Sequence, residues 1–217
     1  MDNNLFWLLF SFGYICALVC IGYVLYRFFK VDSEGVRKFI HIFTSLWILI
    51  VFYGLDNAFS MLLGPFCFVF VNTVFVYGGF GKYLGMGDRK RDNGLIYYPL
   101  SIFILVLLSI LGVLHKESVI AGVLVMGFGD GLAAIVGTRF GRHGYKVYSR
   151  YKKSIEGSLA MFVVSFLVIL IATRCNLFIA LAVALASTFL ENITPLGFDN
   201  ISVPMATSFL LEVLCSL

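Results

Sequence analysis

An acid stands inside an apolar run, between glycines, in the order Met126-Gly127-Phe128-Gly129-Asp130-Gly131-Leu132-Ala133. A carboxylate at the centre of an apolar span costs about 2.5–3.5 kcal/mol on insertion scales, so such residues are rare and mark functional sites. Beside bare glycine backbone, Asp130 could hold a divalent cation. Mg²⁺ takes one or two carboxylates and completes its shell with water and substrate phosphates. Close helix packing is the competing explanation for the glycines, because Gly127 and Gly131 form a Gly-x-x-x-Gly that Ala134 and Gly137 extend. Packing does not explain the acid.

Three further groups of residues could act with it. Lys152-Lys153-Ser154-Ile155-Glu156-Gly157-Ser158 opens the next apolar stretch. Ser154 suits a helix N-cap. Two lysines at a helix N-terminus oppose the macrodipole, and a bound phosphate would reverse that penalty. Arg37, Lys38 and His41 are spaced i,i+3 and i,i+4, so they can converge on one helix face, although positive flanking and an interfacial histidine would also account for them. Glu191-Asn192 and Asp199-Asn200 place acids and amides where a metal–nucleotide complex would need them; helix capping is their plainer use. Neither a Gly-x-x-x-x-Gly-Lys-Ser/Thr loop nor a Gly-x-Gly-x-x-Gly fingerprint is present.

The elements that must position these residues are membrane spans. Of 217 residues, 60% are hydrophobic and 13% charged, about half the charge of a soluble domain. The reading is an all-α polytopic bundle in one domain, 1–217, with no soluble module. Spans are expected near 5–29, 39–55, 58–77, 95–114, 118–140, 156–173, 176–191 and 202–217. The N-terminus lacks the positive region of a signal peptide, so the first apolar run reads as the first transmembrane helix. Cys16, Cys20, Cys67, Cys175 and Cys215 form no Cys-x-x-Cys and read as small core hydrophobes. The net charge of +4 gives no basic domain for nucleic acid.

Lysine and arginine are unevenly shared among the loops. Loop one holds Arg27, Lys30, Arg37 and Lys38, and loop three holds Lys82, Arg89, Lys90 and Arg91. Loop five holds Arg139, Arg142, Lys146, Arg150, Lys152 and Lys153. Lys116 and Arg174 alone fall in even loops. The positive-inside rule therefore puts the odd loops in the cytoplasm and both termini outside, with Asp130 two to three turns from the cytoplasmic end of its span. Asn192-Ile193-Thr194 and Asn200-Ile201-Ser202 match the glycosylation pattern, but a cytoplasmic loop is not presented to that machinery.

Together these residues resemble the polyprenol/phytol/dolichol kinase family, which includes the CTP-dependent diacylglycerol kinases. The resemblance is carried by Arg37-Lys38-x-x-His41, by Gly129-Asp130-Gly131-Leu132-Ala133 with Gly137 and Gly141, by Lys153-Ser154-Ile155-Glu156-Gly157-Ser158, and by Asp199-Asn200 followed by Val203-Pro204. It implies phosphorylation of a membrane-embedded isoprenoid alcohol, with CTP (or ATP) as donor and Mg²⁺ as cofactor. The site would face the cytoplasm from a bacterial, archaeal or ER-type membrane. In that reading Asp130, Asp199 and Glu191 hold the metal. Lys153, Arg139 and Arg37 or Lys38 clamp phosphates, alongside Gly129, Gly131, Gly137, Ser154, Glu156, Gly157 and Asn200. His41, Asp130 or Asp199 orients or deprotonates the alcohol. A diacylglycerol kinase, a CDP-lipid cytidylyltransferase and a carrier using Asp130 are the alternatives. The long acidic C-terminal signature of the cytidylyltransferases is absent, and polar residues crowd one face where a carrier needs a path across.

Overall fold

The computed structural model describes residues 3–80, 92–148, 151–195 and 197–215. Lys82, Asp88, Arg89, Lys90, Arg91 and Arg150 lie outside them. The described residues form an all-α bundle of eight helical rods, as expected, with one small hairpin. The first rod is α1, Asn3–Arg27. The second joins α2, Ser33–Ser45, to α3, Trp47–Gly54. Next come α4, Ala58–Tyr77, and α5, Gly94–Ile110. The fifth rod runs from α6, Lys116–Leu124, through a π-helical turn at Val125–Asp130 into α7, Gly131–Phe140. The last three are α8, Ile155–Thr173, α9, Leu177–Ile193, and α10, Asp199–Cys215.

Five rods are long and apolar enough to cross a membrane: α1, α2–α3, α4, α6–α7 and α8. Side chains such as Phe59 (73% exposed), Ile171 (78%) and Phe178 (77%) stand outward. Water penalises such a surface and a bilayer solvates it. The α6–α7 rod is the central one, the most buried of these five. Gly122 lets its first half approach α10 at Pro204 and Ser208, where a Cβ would collide.

Three expectations are refined. The second rod starts at Ser33, six residues before the expected apolar start, because its first turn is a polar helix end braced by Glu34 and Arg37. The glycine run stays within one rod, as the span 118–140 required, but it forms a π-helical turn, an inserted residue of the kind that gathers at functional sites. Loop five is not irregular. Gly144–Tyr148 (β1) and Tyr151–Ser154 (β2) pair antiparallel, with Tyr145 opposite Lys153. The hairpin is fastened to the bundle because Tyr145 Oη donates to Asn192 Oδ1 at 2.6 Å and lies 2.5 Å from Ser158 Oγ.

The two ends of the bundle differ. Asn3 Nδ2 donates to Asp56 Oδ2 (3.0 Å), and His115 Nδ1 lies 2.7 Å from Glu212 Oε1, at one end. The other end carries Arg37, Lys38, Asp130, Lys153, Glu191 and Asn200.

Candidate active site

Asp130 is the last residue of the π-helical turn and is buried. It does not stand alone. Lys38 Nζ, from α2, donates to Asp130 Oδ2, and both side chains are over nine-tenths buried. His41 Nε2, one turn further along α2, lies 3.8 Å from the same oxygen. The i,i+3 spacing of Lys38 and His41 thus brings both to one carboxylate, as their shared face required. Arg37, one residue off that face, pairs with Glu34 through Nε (3.1 Å) and Nη2 (2.7 Å). It remains within electrostatic range of Asp130 and Asp199.

A second ion pair closes the neighbouring side. Lys153 Nζ donates to Glu191 Oε1 and to the Glu191 main-chain oxygen, each at 2.5 Å. A cation near the last turn of α9 is favoured by the macrodipole. Lys153 lies on β2, just before the helix it was expected to open. Ser154 is the N-cap of α8, accepting from the Gly157 amide at 3.1 Å. Glu156 turns to His143, whose Nδ1 lies 2.7 Å away. Asp199 begins α10, and its Oδ1 accepts from the Asn200 amide at 2.9 Å. Asp130, Lys38, Glu191 and Lys153 all lie within electrostatic range of Asp199. Four separate stretches of sequence therefore meet at one end of the bundle. Arg139 is exposed on α7 and has no ion-pair partner among the described residues.

The glycines have neighbours of their own. A Cβ at Gly127 would strike Ser45, one at Gly131 would strike Ile42, and one at Gly129 would lie 2.6 Å from Met161 Sδ. Gly137 and Gly157 bring α7 and α8 together, with Gly137 Cα 3.3 Å from a Cβ built on Gly157. The bare faces of this stretch are taken up by α2 and α8.

A cavity of about 220 Å³ opens below the polar cluster. Arg37, Lys38, His41, Asp130 and Asn200 line its polar end, and its walls are Ile15, Val19, Trp47, Phe68, Val71, Phe75, Tyr98 and Ile102. Sequence reasoning did not find Tyr98, Trp47 or Asn72, which lie in ordinary apolar runs. Tyr98 Oη donates to the Val123 carbonyl at 3.3 Å, and its ring sits 4.2 Å from that of His41. Asn72 Nδ2 donates to the Leu95 carbonyl at 2.7 Å. Pro99 cannot bond that carbonyl from four residues on, so the proline in α5 was the available signal. Two buried polar atoms at the polar end have no hydrogen-bond partner among the described residues, His41 Nε2 and Asn200 Oδ1. Such atoms are costly unless a ligand or water meets them.

No group of three or more His, Cys, Asp or Glu side chains gathers as a ready metal cage among the described residues. The donor set nevertheless fits Mg²⁺, which needs only one or two carboxylates when substrate phosphates supply the rest. Asp130 and Asp199 are of that kind, and Asn200 Oδ1, without a hydrogen-bond partner among the described residues, stands beside Asp199.

The chain has clear relatives among known proteins. The chain is 32% identical over 207 residues to a protein named phytol kinase from Synechocystis sp., covering 91% of this chain and 86% of that one. The chain belongs to the polyprenol and phytol kinase family. A Triticum aestivum protein named probable phytol kinase, chloroplastic, is 32% identical over 204 residues, 82% of this chain and 66% of that one. A Zea mays protein of the same name is 36% identical over 145 residues, 58% of this chain and 46% of that one. No family model and no solved structure matches. Membership in this family carries the enzyme class that the motifs implied, a kinase whose acceptor is an alcohol group.

Proposed function

We propose that this family member phosphorylates a membrane-embedded isoprenoid alcohol of the phytol or geranylgeraniol type, with CTP as donor ahead of ATP, at the cytoplasmic face. The observation that carries this reading is the Lys38–Asp130–His41 cluster at the polar end of an otherwise apolar cavity. A prenol has the same polarity pattern, one hydroxyl on a long apolar chain. The depth of Asp130 follows, since the acid must meet a hydroxyl whose tail cannot leave the bilayer.

Phosphoryl transfer asks a protein mainly for positioning and charge neutralisation. In this reading the alcohol hydroxyl enters beside His41 Nε2, which has no hydrogen-bond partner among the described residues. His41 accepts the hydroxyl proton as the alcohol oxygen bonds to the γ-phosphorus. The bond from that phosphorus to the β,γ-bridging oxygen breaks, and the nucleoside diphosphate leaves. Tyr98 holds the His41 ring in place. Asp130 keeps Lys38 at the reacting end until the triphosphate arrives, and Arg37 and Lys153 supply further positive charge. Mg²⁺, held by Asp130 and Asp199 with the phosphates, would neutralise the charge that develops. Glu191 is the third acid within range.

The test is turnover by purified protein in micelles, with phytol, geranylgeraniol, a polyprenol and diacylglycerol each offered with CTP and with ATP. Prenyl monophosphate with CDP is expected. Release of pyrophosphate would mean cytidylyl transfer. Equal turnover with ATP would remove the CTP assignment and leave the kinase. The cytoplasmic placement rests on the loop charges and has its own test below.

A further inference from the structure

The cavity is too small for the substrate that the reading above assigns to it. A cavity of ~150 Å³ holds the six carbons of benzene. The present 220 Å³ therefore takes about nine carbons at the same packing. A twenty-carbon prenol must leave more than half of its chain elsewhere, and the wall shows where.

Val19 on α1 and Val71 on α4 line the cavity, yet they are 42% and 54% exposed, whereas the other lining residues are buried or half-buried. A side chain with both properties sits on the rim of an opening. Toward the far end the same two helices are closed by Phe12 against Phe68, ring centroids 5.7 Å apart. Beneath the opening, Trp47 stands edge-on to Phe68 at 5.3 Å and 84°. Trp47 is 1% exposed, and Gly64 leaves it no room to retreat, since a Cβ there would lie 2.5 Å from its ring. From Lys38 to Trp47 the helix rises by nine residues, about 14 Å. The cavity is thus a short shaft with a polar top, an aromatic floor and one open side.

We propose that the gap between α1 and α4 at Val19 and Val71 is the lateral portal through which a single prenyl chain enters from the bilayer, and that Trp47 and Phe68 turn the chain outward through it. The proposal rests on the prenol kinase reading. It adds that the protein admits a single chain near the hydroxyl and tolerates any length beyond the portal. A second chain close to the hydroxyl, as in diacylglycerol, has no place in a shaft of this volume.

Two measurements test it. The first is photolabelling of the intact protein in micelles by geranylgeraniol carrying a diazirine at mid-chain, mapped by mass spectrometry. Labels on α1 and α4 around Val19 and Val71 are expected; labels confined to α8 or α9 would overturn the portal. Labelling needs no turnover, so it separates failure of the portal from failure of the kinase reading, which the alcohol panel decides. The second compares geranylgeraniol with a five-carbon prenol in Val19→Trp, Val71→Trp and the lipid-facing control Phe70→Trp, 68% exposed and outside the cavity lining. Plugging the rim should lower the long-to-short ratio of kcat/KM by about tenfold or more, the scale at which bulk in an apolar pocket discriminates. The control should leave the ratio where it was. An unchanged ratio in both rim variants would refute the proposal.

Discussion

Lys38 and Asp130, 92 residues apart in sequence, form an ion pair with side chains only 8% and 9% exposed. An acid in an apolar span is costly alone. Paired inside protein, it is stable only while its partner remains. Removing one member of a buried pair costs about 3–5 kcal/mol, whereas replacing both with uncharged residues of similar size is often neutral. The pair therefore separates what the site needs for folding from what it needs for chemistry.

Asp130→Asn and Lys38→Met should each lower thermal stability in micelles by about 3–5 kcal/mol and abolish turnover. The double variant should recover most of the stability and none of the activity. Stability and turnover returning together in the double variant would reduce the pair to a structural brace.

Lys153→Ala should raise KM for nucleotide by about tenfold or more, the range of a charge-assisted contact worth about 1.5–3 kcal/mol. Lys153→Arg should not restore it, because a planar fork replaces a point charge beside the Glu191 oxygens. Steady-state kinetics with varied CTP measures this. Normal KM and kcat in Lys153→Ala would leave Lys153 as a clasp between the hairpin and α9.

What could be read in the sequence was whatever repeats at short range. The eight rods follow from runs of apolar residues, and the shared face of Lys38 and His41 follows from helical spacing. Ser154 as an N-cap is equally local. The Lys38–Asp130 and Lys153–Glu191 pairs join distant segments, and one sequence carries no record of that pairing. The hairpin escaped because its strands are short and basic, resembling an interfacial loop. The glycine run was placed correctly inside one span, but its π-helical form was not legible, because an inserted residue leaves no mark in an apolar, glycine-rich run. The cavity wall was hidden for a simpler reason: Trp47, Tyr98 and Val71 sit in predominantly apolar runs, where nothing local sets them apart from their neighbours.

Topology has a direct test. In a background without the native cysteines, a cysteine replacing Asn57 should react with an impermeant thiol reagent added outside intact cells. One replacing His143, 72% exposed on the hairpin side, should react only after the membrane is opened. The charge distribution of the loops predicts this order. The reverse pattern would place the candidate site on the outer face and remove cytoplasmic CTP as its donor.

Substitution of the glycines around Asp130 distinguishes packing from ligand binding. Replacing glycine by alanine in a helix gains about 1 kcal/mol of propensity, so any loss must come from crowding. At Gly127 the new methyl meets the Ser45 Cβ, which cannot move without its backbone. At Gly131 it meets Ile42, a buried and branched side chain. At Gly129 it meets the thioether end of Met161, 2.6 Å away and free to turn aside. The expected order of destabilisation is therefore Gly127→Ala, then Gly131→Ala, then Gly129→Ala. The first two should lose about 1–3 kcal/mol and the third little. Thermal unfolding in micelles reads the order, and turnover should follow stability. If Gly129→Ala keeps its stability and loses affinity for nucleotide, that glycine lies against the nucleotide and packing is not its main role.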